Sequence, residues 1–280
     1  MHAWQQDHLS IADYERVSPL EKLETRILIM AATGLTRIQL ITQSDYQPQS
    51  EQRLFLQTLI QRRLDGEPIA YLTGEREFFG LPFFTSPAVL IPRADTELLV
   101  ELALSYAPQN SRLLDMGTGS GAIAVAIAHT RADLLVTALD ISHDALAIAK
   151  KNVARHTPDR VRVLHSDWYS EVNGQVFHTI VSNPPYIVKN DPHLSQGDLR
   201  FEPINALTDH GDGLSAYRTI VGNAPQHLAN EGWLLMEHGY HQAEDVRQLL
   251  SARGFGQVQS WRDLAGIERV SGGQFIAGVE

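Results

Sequence analysis

The sequence contains no cysteine. Disulfide bonds, thiolate metal sites and cysteine nucleophiles are therefore excluded, and a reducing compartment is consistent with this composition. The twelve histidines do not form a His-Glu-x-x-His motif or a comparable ligand cluster. We therefore predict no metal site.

Signals for a membrane or for a nucleic acid are also missing. No apolar run approaches the roughly 20 residues that span a bilayer, and the N-terminus lacks the basic and apolar regions of a signal peptide. Negative charge predominates, since the sequence has 23 Lys and Arg residues and 33 Asp and Glu residues, which give a formal net charge of −10. This surplus of negative charge repels the phosphate backbone of a nucleic acid at long range. We expect a cytosolic protein that has no contact with a membrane and no direct nucleic-acid substrate.

The N-terminal region, residues 1–73, shows helix signals and no strand pattern. Ser18 offers an N-cap before Pro19 and Glu21, and Gly34 ends the apolar helical pattern that follows. With 280 residues, the chain is long enough for two modest domains. We predict a small helical domain here.

The rest of the chain changes character twice. Residues 74–97 are rich in phenylalanine and interrupted by glycine and proline, which predicts a β-hairpin connector. From 98 to 280, apolar strands alternate with helical stretches, a pattern typical of a parallel α/β sheet with helices on both faces. The alternating segments are 112–116, 122–129, 134–140, 143–155, 160–164, 177–182, 214–229, 232–238 and 242–253.

A glycine-rich loop connects the first of these strands to an alanine-rich helix. The loop consists of Gly117, Thr118, Gly119, Ser120 and Gly121. The next strand ends at Asp140, whose carboxylate is placed to accept hydrogen bonds from ribose hydroxyls. The pattern predicts a nucleoside site, and NAD remains possible because Gly117, Gly119 and Ala122 also satisfy the relaxed dinucleotide fingerprint.

Asp167 and Trp168 follow the strand at 160–164 and belong to the same edge of the predicted sheet. The indole offers a flat apolar face for an adenine, and the carboxylate is an acceptor for its exocyclic amine. Simple packing of Trp168 is the alternative. We predict that both residues contact the cofactor.

Asn183, Pro184, Pro185 and Tyr186 end a buried strand. Proline has no N–H group, so the carbonyls of this turn can face a pocket without a competing donor beside them. The Asn183 side-chain oxygen and the Pro184 carbonyl can accept both N–H groups of an amide or of an adenine amine, and Tyr186 can pack on its plane. We predict that all four residues bind substrate and that Asn183, Pro184 and Tyr186 are catalytic.

Together these motifs resemble the class I S-adenosylmethionine methyltransferases that act on planar nitrogens. Further segments resemble the bacterial peptide-chain release factor glutamine methyltransferases, and they lie at 68–74, 78–80, 90–97 and 200–203. Within 90–97, Glu97 is favoured over Arg93 and Asp95 as a site residue. The tripeptide Gly272-Gly273-Gln274 mimics the target of that family, and we interpret it as a hairpin turn.

The resemblance implies a Rossmann-like class I sheet preceded by a small all-α substrate-recognition domain. It also implies S-adenosylmethionine as cofactor, S-adenosylhomocysteine as product, and methylation of N5 of the glutamine in the Gly-Gly-Gln loop of class 1 release factors. The implied cofactor contacts come from residues 117–121, Asp140, Asp167, Trp168 and Asn183. A nucleic-acid adenine N6-methyltransferase and a noncatalytic release-factor-binding scaffold remain as alternatives.

Overall fold

The structure, a computed structural model, describes residues 2–278 and divides the chain into two compact units, Met1–Glu75 and Arg76–Glu280. The first unit is built from helices around an apolar core that includes Trp4, Tyr14, Leu28 and Leu56. Its helices are α1 (Ile11–Val17), α2 (Lys22–Thr33), α3 (Arg37–Thr42), α4 (Ser50–Leu64) and α5 (Ile69–Thr73).

Helix α2 ends where the sequence predicts and begins where it does not. Gly34 follows its last residue at φ 74°, the left-handed conformation that commonly closes a helix. The predicted start at Ser18 is wrong, because α2 begins at Lys22. Ser10 caps α1, and the Ser18 N–H donates to the Tyr14 carbonyl, so Ser18 closes the preceding helix instead.

A short hairpin follows, formed by β1 (Glu75–Phe78) and β2 (Leu81–Phe84). Phe79 and Gly80 in its turn both have positive φ, as a type I′ turn requires. Phe78 and Phe83 are buried and meet edge to face, with ring centroids 6.0 Å apart. The hairpin therefore occupies the first part of the predicted connector, whose extent and function remain predictions.

The main sheet of the second unit has seven strands in the order β5-β4-β3-β6-β7-β9-β8. They are β3 (Arg112–Met116), β4 (Leu135–Asp140), β5 (Val161–His165), β6 (Phe177–Ser182), β7 (Leu228–Glu237), β8 (Gly256–Arg262) and β9 (Glu268–Gln274). Neighbours from β5 to β7 are parallel, whereas β9 is antiparallel to β7 and β8. The prediction of a parallel sheet is wrong for β9, because a tight turn reverses the chain directly after β8.

Helices cover both faces of this sheet. The helices of the second unit are α6 (Glu97–Tyr106), α7 (Ala122–Thr130), α8 (His143–His156), the single-turn α9 (Ile204–Leu207), α10 (Ser215–Asn223) and α11 (Ala243–Ala252). Leu113 and Leu235 belong to the apolar cluster that contains α6 and α7, while their neighbours Leu114 and Leu234 belong to the cluster that contains α10 and α11. Successive residues of a strand point to opposite faces, so strands covered on both faces are apolar throughout. In residues 2–278, no helix is long and apolar enough to span a membrane.

The connections on the two sides of β3 run in opposite directions. From β3 the chain proceeds to β4 and β5 on one side, and it then returns to place β6 on the other side. Such a reversal leaves a crevice at the carboxyl ends of the two adjacent strands, where α/β proteins bind ligands. The glycine loop after β3 and Asn183 after β6 therefore meet at one point.

Gly272 and Gly273 lie inside β9, so the interpretation of this tripeptide as a hairpin turn is wrong. A Cβ atom on Gly272 would lie 2.5 Å from the Leu234 carbonyl oxygen, and one on Gly273 would lie 2.9 Å from the Phe255 Cβ. The two glycines are therefore explained by close packing in the sheet.

Gly272→Ala is expected to lower the free energy of unfolding by about 1–3 kcal/mol, because the new methyl group overpacks a rigid backbone contact. Gly222→Ala in α10 is the matched control, since a Cβ atom there meets nothing within 4 Å. Alanine is the better helix former, so this control should be neutral or stabilising. Urea unfolding of both variants measures the difference, and equal effects would contradict the packing explanation.

A candidate cofactor and amide site

A cavity of about 500 Å³ lies at the carboxyl edge of the sheet, within the size range of small-molecule sites. It opens between the glycine loop, the end of β4 and the end of β6. The predicted site residues in its wall are Gly117, Thr118, Gly119, Ser120, Asp140, Asn183 and Pro185. The tertiary structure thus brings together three motifs that are separated in sequence.

The glycines of the loop have two different functions. Gly117 and Gly119 adopt φ 70° and 55°, and a Cβ atom at either position would meet nothing within 4 Å. They leave open space beside the backbone, where a ligand can approach closely. Gly121 is not in the cavity wall, and its Cβ atom would lie 3.3 Å from the Ala149 Cα and Cβ atoms. Gly121 therefore allows α7 to pack against α8.

The Asp140 carboxylate organises the cavity edge. Its Oδ2 accepts a hydrogen bond from the Gly119 N–H at 2.8 Å, and its Oδ1 accepts one from the Ser142 N–H at 2.9 Å. Burial raises the pKa of Asp140, while these backbone donors oppose the increase. Each carboxylate oxygen can accept a further hydrogen bond, so Asp140 suits a ligand that carries hydroxyl groups.

Asp167 and Trp168 do not line the cavity. Asp167 is exposed, and Trp168 is half-buried against the apolar cluster that contains α10 and α11. This position agrees with the alternative interpretation of Trp168, in which the indole packs in the core and does not contact the cofactor. Ile141, which follows Asp140, lies in the wall and is 62% exposed, so it offers the apolar contact that Trp168 does not.

Within the predicted substrate segment, Asn183 and Pro185 line the cavity, whereas Pro184 and Tyr186 do not. The Asn183 Nδ2 donates to the Thr96 Oγ1 at 3.3 Å. The Tyr186 backbone carbonyl accepts a hydrogen bond from the Gln242 side chain. Burial raises the pKa of the Tyr186 phenol, which therefore stays neutral. Contacts of Pro184 and Tyr186 with a substrate remain predictions.

The segment at 90–97 contributes side chains to the cavity wall, but Glu97, the residue favoured from sequence, is not among them. Arg93 and Thr96 line the cavity, but Glu97 does not, because its Oε1 accepts the Phe79 N–H at 2.9 Å. Arg93 forms an ion pair with Glu202, whose carboxylate is buried. The Glu97 carboxylate therefore supports the hairpin.

Two further buried carboxylates, those of Asp115 and Glu237, lie at strand ends near the cavity. The hydroxyl of Thr118 donates to Asp115 Oδ2 at 2.5 Å, and burial raises the pKa of Asp115 to about 7. Glu237 ends β7 and is buried beside Asn183 and Thr96. A signal was present for Glu237, since an acid at the end of an apolar strand belongs to the same sheet edge as Asn183.

Comparison with known proteins assigns the family. Residues 13–74 match the PrmC N-terminal domain, and residues 93–198 match the methyltransferase small domain. The release factor glutamine methyltransferase of Burkholderia pseudomallei is 52% identical over 271 residues, which cover 94% of this chain and 95% of the relative. This chain belongs to the release factor glutamine methyltransferase family. The Escherichia coli member is 45% identical over 267 residues, 93% of this chain and 96% of that one.

Solved structures support the fold. A methyltransferase from Pyrococcus furiosus is 19% identical, covers 77% of this chain and 96% of its own, and superposes with a TM-score of 0.55. At that identity the likeness concerns the fold alone. The predicted family, the predicted glutamine methyltransferase activity and the predicted Rossmann-like fold with a small helical N-terminal domain are confirmed.

The charges at the cavity of this glutamine methyltransferase favour a cationic ligand. Among the described residues of the wall, Arg93 is the cationic one, and Glu202 already neutralises it. The Asp140 carboxylate also lies in the wall. Such a site suits a positively charged ligand better than the pyrophosphate of a dinucleotide. No cluster of potential metal ligands occurs in the described part of the chain.

Proposed function

We propose that this enzyme methylates N5 of the glutamine in the Gly-Gly-Gln loop of class 1 peptide-chain release factors, with S-adenosylmethionine as methyl donor. One observation carries the proposal. Asn183 lies in the wall of the cavity that also contains the glycine loop and Asp140, and its nitrogen is turned towards Thr96. Its side-chain oxygen is thereby available to a substrate amide. The names of the relatives support glutamine as the acceptor.

The cofactor contacts belong to the same proposal. Asp140 accepts hydrogen bonds from the ribose hydroxyls of the cofactor. The open space beside Gly117 and Gly119 holds the part of the cofactor that adjoins the ribose. S-Adenosylmethionine supplies a methyl group on a positively charged sulfur, and S-adenosylhomocysteine is the product. Thr118, Ser120 and Asn183 lie in the cavity wall and belong to the proposed set. Gly121, Asp167 and Trp168 lie outside that wall, and their contacts with the cofactor remain predictions.

Positioning replaces basicity in the proposed reaction, because an amide nitrogen is a poor nucleophile. Asn183 Oδ1 accepts one N–H of the substrate amide, and the Pro184 carbonyl accepts the other. These acceptors aim the nitrogen and stabilise the positive charge that it gains during transfer. The amide proton becomes acidic during this step and leaves to the surroundings of either acceptor or to water. We therefore assign no dedicated general base.

We propose that the first unit, in keeping with the predicted recognition domain at 1–73, helps to hold the release factor. Several large apolar side chains are exposed there and are available to a protein partner. The most exposed are Leu23, Ile38, Ile41 and Leu54. Because the proposed substrate acts in translation, we also propose a cytoplasmic location. The proposal includes no contact with a membrane and no direct nucleic-acid substrate.

The test is methyl transfer from radiolabelled S-adenosylmethionine to a purified class 1 release factor. We expect label in the wild-type factor and none in a factor whose loop glutamine is replaced by alanine. That control keeps the fold and docking surface of the substrate. Label retained by the alanine variant would mean a different acceptor residue.

Unmodified duplex DNA is the second arm of the experiment. Asn183, Pro184 and Tyr186 suit an adenine amine as well as a carboxamide, so the catalytic pocket alone does not choose between them. The formal charge of −10 opposes DNA binding. Label in DNA at a comparable rate would replace our proposal with an adenine methyltransferase, and label in neither substrate would favour the noncatalytic scaffold.

A further inference from the structure

Glu237 and Asn183 are neighbours at the carboxyl edge of the sheet. Strands β6 and β7 are parallel, and Ser182 lies opposite Met236. Asn183, which directly follows β6, therefore lies next to Glu237, the last residue of β7. Glu237 is 3% exposed, so its carboxylate is almost fully removed from water.

The contacts of Asn183 use its nitrogen. The Asn183 Nδ2 donates to Thr96 Oγ1 at 3.3 Å. The buried Glu237 carboxylate lies beside both side chains, which lower its pKa, and its Oε2 has no hydrogen-bond partner within residues 2–278. A carboxylate only accepts, so the part of the Asn183 amide that stabilises the charged form of Glu237 is its N–H group. The Asn183 amide nitrogen therefore faces Glu237 and Thr96, and its oxygen is left for the cavity.

We propose that Glu237 is a positioning residue, which holds the Asn183 side-chain amide with its oxygen towards the substrate amide. This inference rests on the function proposed above. A flipped Asn183 would direct its own N–H groups at the N–H groups of the substrate and leave donors without acceptors. Glu237 acts through Asn183 and contacts no reacting atom.

The surroundings of Glu237 make this arrangement sensitive to pH. The charged or titratable groups that face it are Asp95, Tyr186, Tyr217 and Arg269. Burial raises the pKa of Glu237 to about 7, the Thr96 hydrogen bond lowers it, Asp95 raises it, and Arg269 and Asn183 lower it. Above pH 7 the carboxylate accepts from Asn183. Below pH 7 the protonated acid can donate to the Asn183 oxygen, so kcat should fall as the pH falls through about 7.

Glu237→Gln and Glu237→Met separate orientation from charge. Glutamine keeps the shape and one acceptor oxygen, so we expect kcat at pH 8 to stay within about threefold of wild type and the decline below pH 7 to disappear. Methionine removes the acceptor, and we expect kcat to fall about 10- to 100-fold, less than the loss of a direct transition-state contact. The KM for the release factor and the affinity for S-adenosylhomocysteine should stay within about twofold. Glu231→Gln, an exposed acid on the same strand, is the control and should leave all of these values unchanged.

A spectroscopic readout is independent of methyl transfer. In ¹⁵N-labelled enzyme, the Asn183 side-chain amide signals, assigned by their loss in Asn183→Ala, should titrate with a midpoint near pH 7. They should not titrate in Glu237→Gln. Flat wild-type signals, or a folded Glu237→Met enzyme with normal kcat, would overturn the proposal. If Glu237→Met does not fold, the titration and the Glu237→Gln pH profile decide. Since the titration needs no substrate, it stands apart from any failure of the proposed function.

Discussion

Asn183→Ala is expected to lower kcat by about 10²- to 10³-fold, which corresponds to the loss of about 2.7–4 kcal/mol of transition-state stabilisation from one preorganised hydrogen bond. The reason is that Asn183 Oδ1 is the proposed acceptor for an amide proton whose positive charge grows during transfer. The cavity wall on the side of the glycine loop and Asp140 is unaffected, so the affinity for S-adenosylhomocysteine should remain nearly normal.

The measurement is steady-state label transfer to the release factor, together with calorimetry for S-adenosylhomocysteine. Asn223→Ala serves as the control, because Asn223 is exposed at the end of α10 and its side chain donates locally, to the Thr219 carbonyl. A near-normal kcat in Asn183→Ala would rule out its assignment. Thermal unfolding should accompany the assay, since Asn183→Ala also removes a donor from the buried Glu237.

Asp140→Ala should weaken S-adenosylhomocysteine binding by about 1.5–3 kcal/mol, the typical contribution of a hydrogen bond to a charged group. This loss equals about a 10- to 100-fold increase in the dissociation constant. Two physical effects add here, because Asp140 is the proposed acceptor for ribose and also accepts the Gly119 N–H of the glycine loop.

Calorimetry with two further variants separates these effects. Asp140→Asn keeps an oxygen acceptor for the Gly119 N–H but lacks the charge, so its affinity should lie between those of the wild type and Asp140→Ala. Asp144→Ala removes the same charge from the exposed first turn of α8 and should bind S-adenosylhomocysteine normally. Unchanged affinity in Asp140→Ala would refute the cofactor role of this residue.

Periodicity and strand ends predicted much of the site. Because parallel strands end at one edge of a sheet, the glycine loop, Asp140 and Asn183 could be expected near one another without any coordinates. The same reasoning also placed Asp167 and Trp168 at this edge, and both lie outside the cavity wall. Strand-end position defines an edge but not the direction in which a side chain packs.

Local patterns were misleading where a distant contact determines the role of a residue. Gly272 and Gly273 were interpreted as a turn, whereas the backbone of β7 and the side chain of Phe255 require glycine there. Glu97 was favoured as a site residue, whereas its carboxylate accepts the Phe79 N–H of the hairpin. In both cases the deciding partner is remote in sequence, and spacing carries no information about it.

The sequence by itself determined the family, the fold class and the chemistry of the site, because glycine loops, strand-end acids and the Asn-Pro-Pro-Tyr segment are local features with local physical reasons. Only the tertiary structure decided how Asn183 is oriented. Its nitrogen donates to Thr96, which is 87 residues away, and the buried carboxylate of Glu237 on the neighbouring strand lies beside it. An amide offers a donor and an acceptor of nearly equal shape, so only the partners that folding brings next to it determine which one faces the substrate.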